Sequence, residues 1–183
     1  GGTIFAGTRI NPMPSSAALE TSNALRYIQE ALPPDAAVLL IFDYEASLAG
    51  ELEAAAAPLV DHMLLLKHPR VSLISSTPIG TGLAERFMEN TQASHNYQRG
   101  QQYSNLGYIP GGAAGVLAFA GNPASVKPFD VNGENTWNMP VLQDVRHLSD
   151  YAAIILLTGD AESARIWIEQ TEGARGDTQF LVV

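Results

Sequence analysis

Three polar tips follow apolar runs in this chain: Asp43-Tyr44-Glu45 after "LLIF", Ser75-Ser76-Thr77 after "VSLI", and Thr158-Gly159-Asp160 after "IILL". Carboxylates, hydroxyls and a phenol gathered in one place can recognise a polar ligand by charge and hydrogen bonding. Asp43, Tyr44, Ser76, Thr77, Thr158, Gly159 and Asp160 are therefore the candidate ligand-binding residues. The same types have structural uses. Asp160 opens a helical run, where a carboxylate caps free N–H groups and meets the favourable end of the dipole. Asp43 can satisfy loop amides, and Ser47 reads as an N-cap.

Other chemistries lack their parts. The chain has no cysteine, which removes thiol catalysis and zinc–thiolate sites. His62, His68, His95 and His147 have no metal-ligand spacing, and the sequence presents no cofactor fingerprint. "STPIGTG" offers backbone N–H groups to an anion but lacks the lysine of a P-loop. "PGGAAG" has the wrong spacing for a dinucleotide turn and follows the third strand rather than the first, so its glycines are expected to serve a tight turn and close packing. Tyr97, Tyr103 and Tyr108 in a polar loop could line a binding face, and Trp137 could cover a pocket or fasten its loop.

The elements that must position these tips follow from periodicity. Residues 1–19 read as a lead-in, and "ETSNALRYIQEAL" as a helix stopped by Pro33 and Pro34, so that residues 1–35 precede the domain proper. Residues 36–183 read as one domain. "AAVLLIFDY", "RVSLISS", "YSNLGYI", "YAAIILLTG" and "TQFLVV" are strands, the first a continuous apolar run as expected of a strand covered on both faces. "SLAGELEAAAAPLVDHMLLLKH" has helical spacing with a kink or break expected at Pro58. "TGLAERFMEN", "GGAAGVLAFAG", "VLQDVRHLSD" and "DAESARIWIEQTEG" are expected helices, and residues 122–140 a long loop. Alternation of strand and helix predicts a three-layer, Rossmann-like α/β sandwich of about five mostly parallel strands with helices on both faces, in the order 3-2-1-4-5. Ligands bind such sheets beyond the strand carboxyl ends where the order reverses, here between the first and fourth strands.

Length and composition agree with one globular domain: 183 residues, 46% hydrophobic and 16% charged. A net charge of −9 with two lysines offers no basic cluster for nucleic acid or an anionic membrane surface. No run approaches the roughly 20 apolar residues of a spanning helix. The chain starts on Gly-Gly and stops on an apolar run, which reads as a piece of a longer protein.

Two resemblances add expectations. At "FDYEASLAGELE", "SSTPIGTGLAERFMEN", "YSNLGYIPGGAAGV" and "IWIEQ" the chain resembles an uncharacterised family of prokaryotic membrane-anchored proteins. That resemblance implies a Rossmann-like domain outside the cytoplasm, joined to the membrane through segments absent from this sequence. It implies no established activity. "LLIFDYEAS", "LISST" and "LLTGDAE" are similar to the haloacid-dehalogenase-like phosphohydrolases. This implies Asp43 as nucleophile, Glu45 as general acid, Ser75 or Ser76 on a phosphate and Asp160 on magnesium. Glu45 replaces that family's second aspartate, and neither Lys67 nor Lys127 matches its lysine. With no complete catalytic set in view, the sequence leans away from an enzyme. It favours binding of an unknown small molecule or protein, with magnesium-dependent phosphohydrolysis and a structural assembly role as alternatives.

Overall fold

The computed structural model describes residues 13–183, and their side chains except at 13–20 and 92–95. Five strands form one sheet: β1 (Ala37–Asp43), β2 (Arg70–Ser75), β3 (Tyr103–Tyr108), β4 (Ala153–Thr158) and β5 (Gln179–Val182). Their order is β3-β2-β1-β4-β5 and every pairing is parallel, as the alternating pattern predicts. β1 and β4 lie side by side, with Asp43 opposite Thr158.

Helices cover both faces. α1 (Met13–Glu30), α2 (Ala49–Lys67) and α3 (Gly80–His95) pack on Val38, Leu40 and Phe42 of β1. α4 (Gly112–Gly121) and α6 (Ala161–Arg175) pack on the alternate residues Leu39 and Ile41. A one-turn helix, α5 (Pro123–Val126), follows α4 directly. The wholly buried runs "AVLLIFD" and "AIILLT" are apolar almost throughout because each residue meets one helical layer or the other.

Several expectations are corrected. α1 is described from Met13 onward, so part of the supposed lead-in is helical. Residues 1–12 lie outside the described residues. α2 runs undivided through Pro58, which is exposed, as is Ala54, so water can take the carbonyl that the proline leaves unbonded. Ser47 does not cap α2; it sits in a 3-10 turn, Ala46–Leu48, and the N-cap position is Leu48.

"VLQDVRHLSD" is not an α-helix but a chain of turns closed by a 3-10 turn, Leu148–Asp150. The Asp150 carboxylate accepts the backbone N–H groups of Arg146 and His147, both at 2.9 Å, which draws them away from helical bonding. Val141, Leu142, Val145 and Leu148 are buried all the same, and their inward spacing imitates a helix. Residues 122–140 are fastened rather than loose. Trp137 is 5% exposed and its indole N–H donates to the Lys127 carbonyl at 2.7 Å. Val131 N–H reaches the Asn105 carbonyl at 2.9 Å, so this segment covers part of the outer edge of β3.

Candidate functional site

Asp43 ends β1 with 2% of its surface exposed, and donors converge on it. Oδ1 accepts the Ser76 N–H at 2.8 Å. Oδ2 accepts the Ser163 hydroxyl at 2.8 Å and the Trp167 indole N–H at 2.7 Å. The Ser76 hydroxyl also donates to Oδ2. Ser75 Oγ lies 2.9 Å from Oδ1 and 2.8 Å from the Phe42 carbonyl, either of which can take its proton. A buried carboxylate without partners is costly; this one is satisfied on both oxygens and joins β1, β2 and α6 at one point.

Local sequence explains the convergence. The β2–α3 connection turns tightly after Ser75, and Gly80 permits the approach: a Cβ there would collide with Ser75 Oγ and stand 2.5 Å from the Phe42 carbonyl. Ser163 and Trp167 are four residues apart in α6 and so share a helical face, turned toward the sheet edge. Asp160 caps that helix, accepting the Glu162 N–H at 3.1 Å, while its own N–H is held by Thr158 Oγ1 at 3.1 Å.

Above Asp43 lies a cleft of about 360 Å3 between the carboxyl ends of β1 and β4, where the strand order reverses. Asp43, Tyr44, Glu45, Thr77, Gly159 and Asp160 line it, so most of the residues expected there from the sequence are brought together. Ser76 and Thr158 do not line it; they stand behind, one holding Asp43 and the other the Asp160 N–H. Sequence reasoning missed Ser163, Leu48 and Ile79 in the lining and Trp167 beneath it. The available signal was the four-residue spacing of Ser163 and Trp167 just after the Asp160 cap.

Tyr44 is a wall rather than a free phenol. Its hydroxyl donates to Glu53 at 2.8 Å, and burial, followed by that partner, holds its pKa well above the ordinary value. Arg86 closes this group at 3.0 Å from Glu53. Glu45 and Asp160 are exposed, and among the described residues no lysine or arginine lines the cleft. Lys127, which the sequence does not match to the lysine of the phosphohydrolase resemblance, donates to the Tyr108 carbonyl at 2.9 Å, at the far edge strand. Burial lowers its pKa.

The remaining sequence candidates take structural places. Gly111 and Gly112 have φ of 99° and 58°, and a Cβ on Gly115 would collide with the Pro110 carbonyl, so "PGGAAG" is a turn and a close contact. Tyr97 and Tyr103 are buried, and the Tyr97 hydroxyl donates to the Pro69 carbonyl at 2.6 Å. Among the described residues, no group of three or more His, Asp or Glu side chains is arranged to hold a metal ion. Nor is any described helix long and apolar enough to cross a membrane. In comparison with known proteins, no family model matches the chain, and neither a curated protein nor a solved structure matches it.

Proposed function

We infer that this domain is a non-catalytic binding module that takes a small, neutral or cationic ligand in the cleft at the carboxyl edge of its sheet. The observation that carries the reading is the state of Asp43: donors from Ser76, Ser163 and Trp167 occupy both of its oxygens, so it is spent on joining elements. The cleft above it has the volume of a small-molecule site, with apolar walls at Leu48 and Ile79 and polar groups at Thr77 and Ser163. An anion entering there would meet Glu45 and Asp160, with no basic side chain in the lining among the described residues. In keeping with the resemblance at "FDYEASLAGELE", the module would sit outside the cytoplasm beside a membrane anchor supplied by another part of its protein.

The phosphohydrolase reading keeps one supporting observation. Ser75, Asp43 and Asp160 meet at the same strand ends, as the second resemblance implies. One experiment separates the two. A metabolite library is screened by thermal shift on the wild type and on Glu45→Gln/Asp160→Asn, alongside phosphate release from a generic aryl phosphate with magnesium. Binding predicts a hit weakened in the double variant and no turnover. Magnesium-dependent turnover abolished by a folded Asp43→Asn variant would replace this reading with the enzymatic one.

A further inference from the structure

A second recess, of about 490 Å3, opens at the opposite, amino-terminal edge of the sheet. Asp35 precedes β1, His68 and Arg70 flank the start of β2, and Asn96, Gln101 and Gln102 come from the α3–β3 connection. β1 spans seven residues, so roughly 20 Å of strand separates this recess from the carboxyl-edge cleft.

Its frame is fixed. Arg70 forms a two-pronged pair with Asp144, at 2.6 and 3.0 Å, and also donates to the carbonyls of Asp35 and Val141, both at 3.1 Å. The Tyr97 ring is buried behind it with its hydroxyl on Pro69. Gln102 Oε1 accepts the Gln98 N–H at 2.7 Å, which orients that amide. Against this frame stand groups with no hydrogen bond or ion pair among the described residues: the Asp35 carboxylate, the His68 ring, the Asn96 and Gln101 amides and the Gln102 NH2.

The backbone adds an independent observation. Among the described residues three non-glycines have left-handed φ, namely Asp35 at 59°, His68 at 49° and Asn96 at 59°, and all three line this recess. His68 and Asn96 are the capping residues immediately after α2 and α3, positions where glycine carries the least strain. Asp, Asn and His tolerate that conformation better than other side chains. Here these turns bring three exposed polar side chains, none with a protein partner among the described residues, to the rim of one recess.

We propose that this amino-edge recess binds a neutral, polyhydroxylated ligand of the saccharide class. Sugar hydroxyls both donate and accept, which matches two free amides, an NH2, an imidazole and a carboxylate arranged round one hollow. Arg70 is neutralised by Asp144, so the net charge presented is that of Asp35, and this disfavours anions.

The test is a two-dimensional NMR titration of the 15N-labelled protein with maltose, N-acetylglucosamine and inorganic phosphate. A saccharide should give saturable shifts at the amides of His68, Asn96 and Gln101 and none at Thr77 or Ser163. Asn96→Gly removes the amide but suits the left-handed backbone, so it should keep the melting temperature and weaken Kd about five-fold, as for one lost hydrogen bond. Gln101→Ala should do the same. The proposal is overturned if neither saccharide gives a saturable shift, if both variants bind like the wild type, or if phosphate perturbs the same amides more strongly. It is equally overturned if the saccharide shifts fall at Thr77 and Ser163, a result that would leave the carboxyl-edge reading standing.

Discussion

At the scale of single residues, Asp43 decides what the carboxyl edge can do. A carboxylate 2% exposed is kept in place by its donors, and those donors come from the β2–α3 turn and from α6. Asp43→Asn is nearly isosteric but turns one acceptor oxygen into an NH2 group facing hydroxyl and indole donors. Unfolding in urea should show a loss of about 2–4 kcal/mol, since buried donors then lose their acceptor, and Ser163→Ala a smaller loss of about 1–2 kcal/mol, since it removes one of three donors to Oδ2. An unchanged urea midpoint for Asp43→Asn would remove the structural role assigned here. Glu45 and Asp160, exposed at the rim, are expected to tolerate amide substitution with little change in stability, which makes them suitable probes of binding.

At the scale of elements, the site depends on how closely the β2–α3 turn approaches β1. Gly80 has no room for a side chain, because a Cβ there would strike Ser75 Oγ and the Phe42 carbonyl. Gly80→Ala should cost more than about 2 kcal/mol, as overpacking of a fixed backbone contact does, and should also disturb the Ser75 and Ser76 contacts to Asp43. Gly173 on α6 is exposed, and a methyl group added there would meet nothing within 4 Å, so Gly173→Ala should stabilise by roughly 0.5 kcal/mol through helix propensity. Melting temperatures of the two variants moving in the same direction would contradict this contrast in packing. The same helix shows what pattern reading captures: α6 and its Asp160 cap were legible from "DAESARIWIEQ", whereas the turns over 141–150 were not. There the apolar spacing is helical, and only the Asp150 carboxylate, bonded to the N–H groups of Arg146 and His147, shows that the backbone bonding is not.

For the whole molecule, the pH range of stability follows from groups at both ends of the scale. Asp144 is held below the ordinary carboxylate range by its hydrogen bond to Arg70, and Asp150 by the N–H groups of Arg146 and His147. A lowered folded pKa gives stability that is present above the unfolded value and lost as pH falls through the folded one, so destabilisation should set in below about pH 4. Burial raises the pKa of Tyr44, Tyr97 and Tyr151, so their contribution is present below the unfolded value and lost as pH climbs past about 10. Melting temperature against pH should therefore fall off on both sides, and Asp150→Asn should flatten the acid limb. An acid limb identical in that variant would mean the turn at 146–150 does not contribute. At this scale the outer side of β5, four residues long, is an edge of the sheet, as is the partly covered outer side of β3.

The sequence by itself determined the five strands, their parallel sense, their order and the edge at which Asp43 and Asp160 emerge. Those properties follow from local apolar runs, helical spacing and the handedness of crossovers, all readable along the chain. Only the tertiary structure decided that Asp43 is bound up by Ser163 and Trp167, more than a hundred residues away, and that Asp35, His68 and Asn96 share one recess at the opposite edge. Hydrogen bonds across such separations, and the backbone sign at a helix end, depend on how elements meet in space, and no local period encodes that meeting.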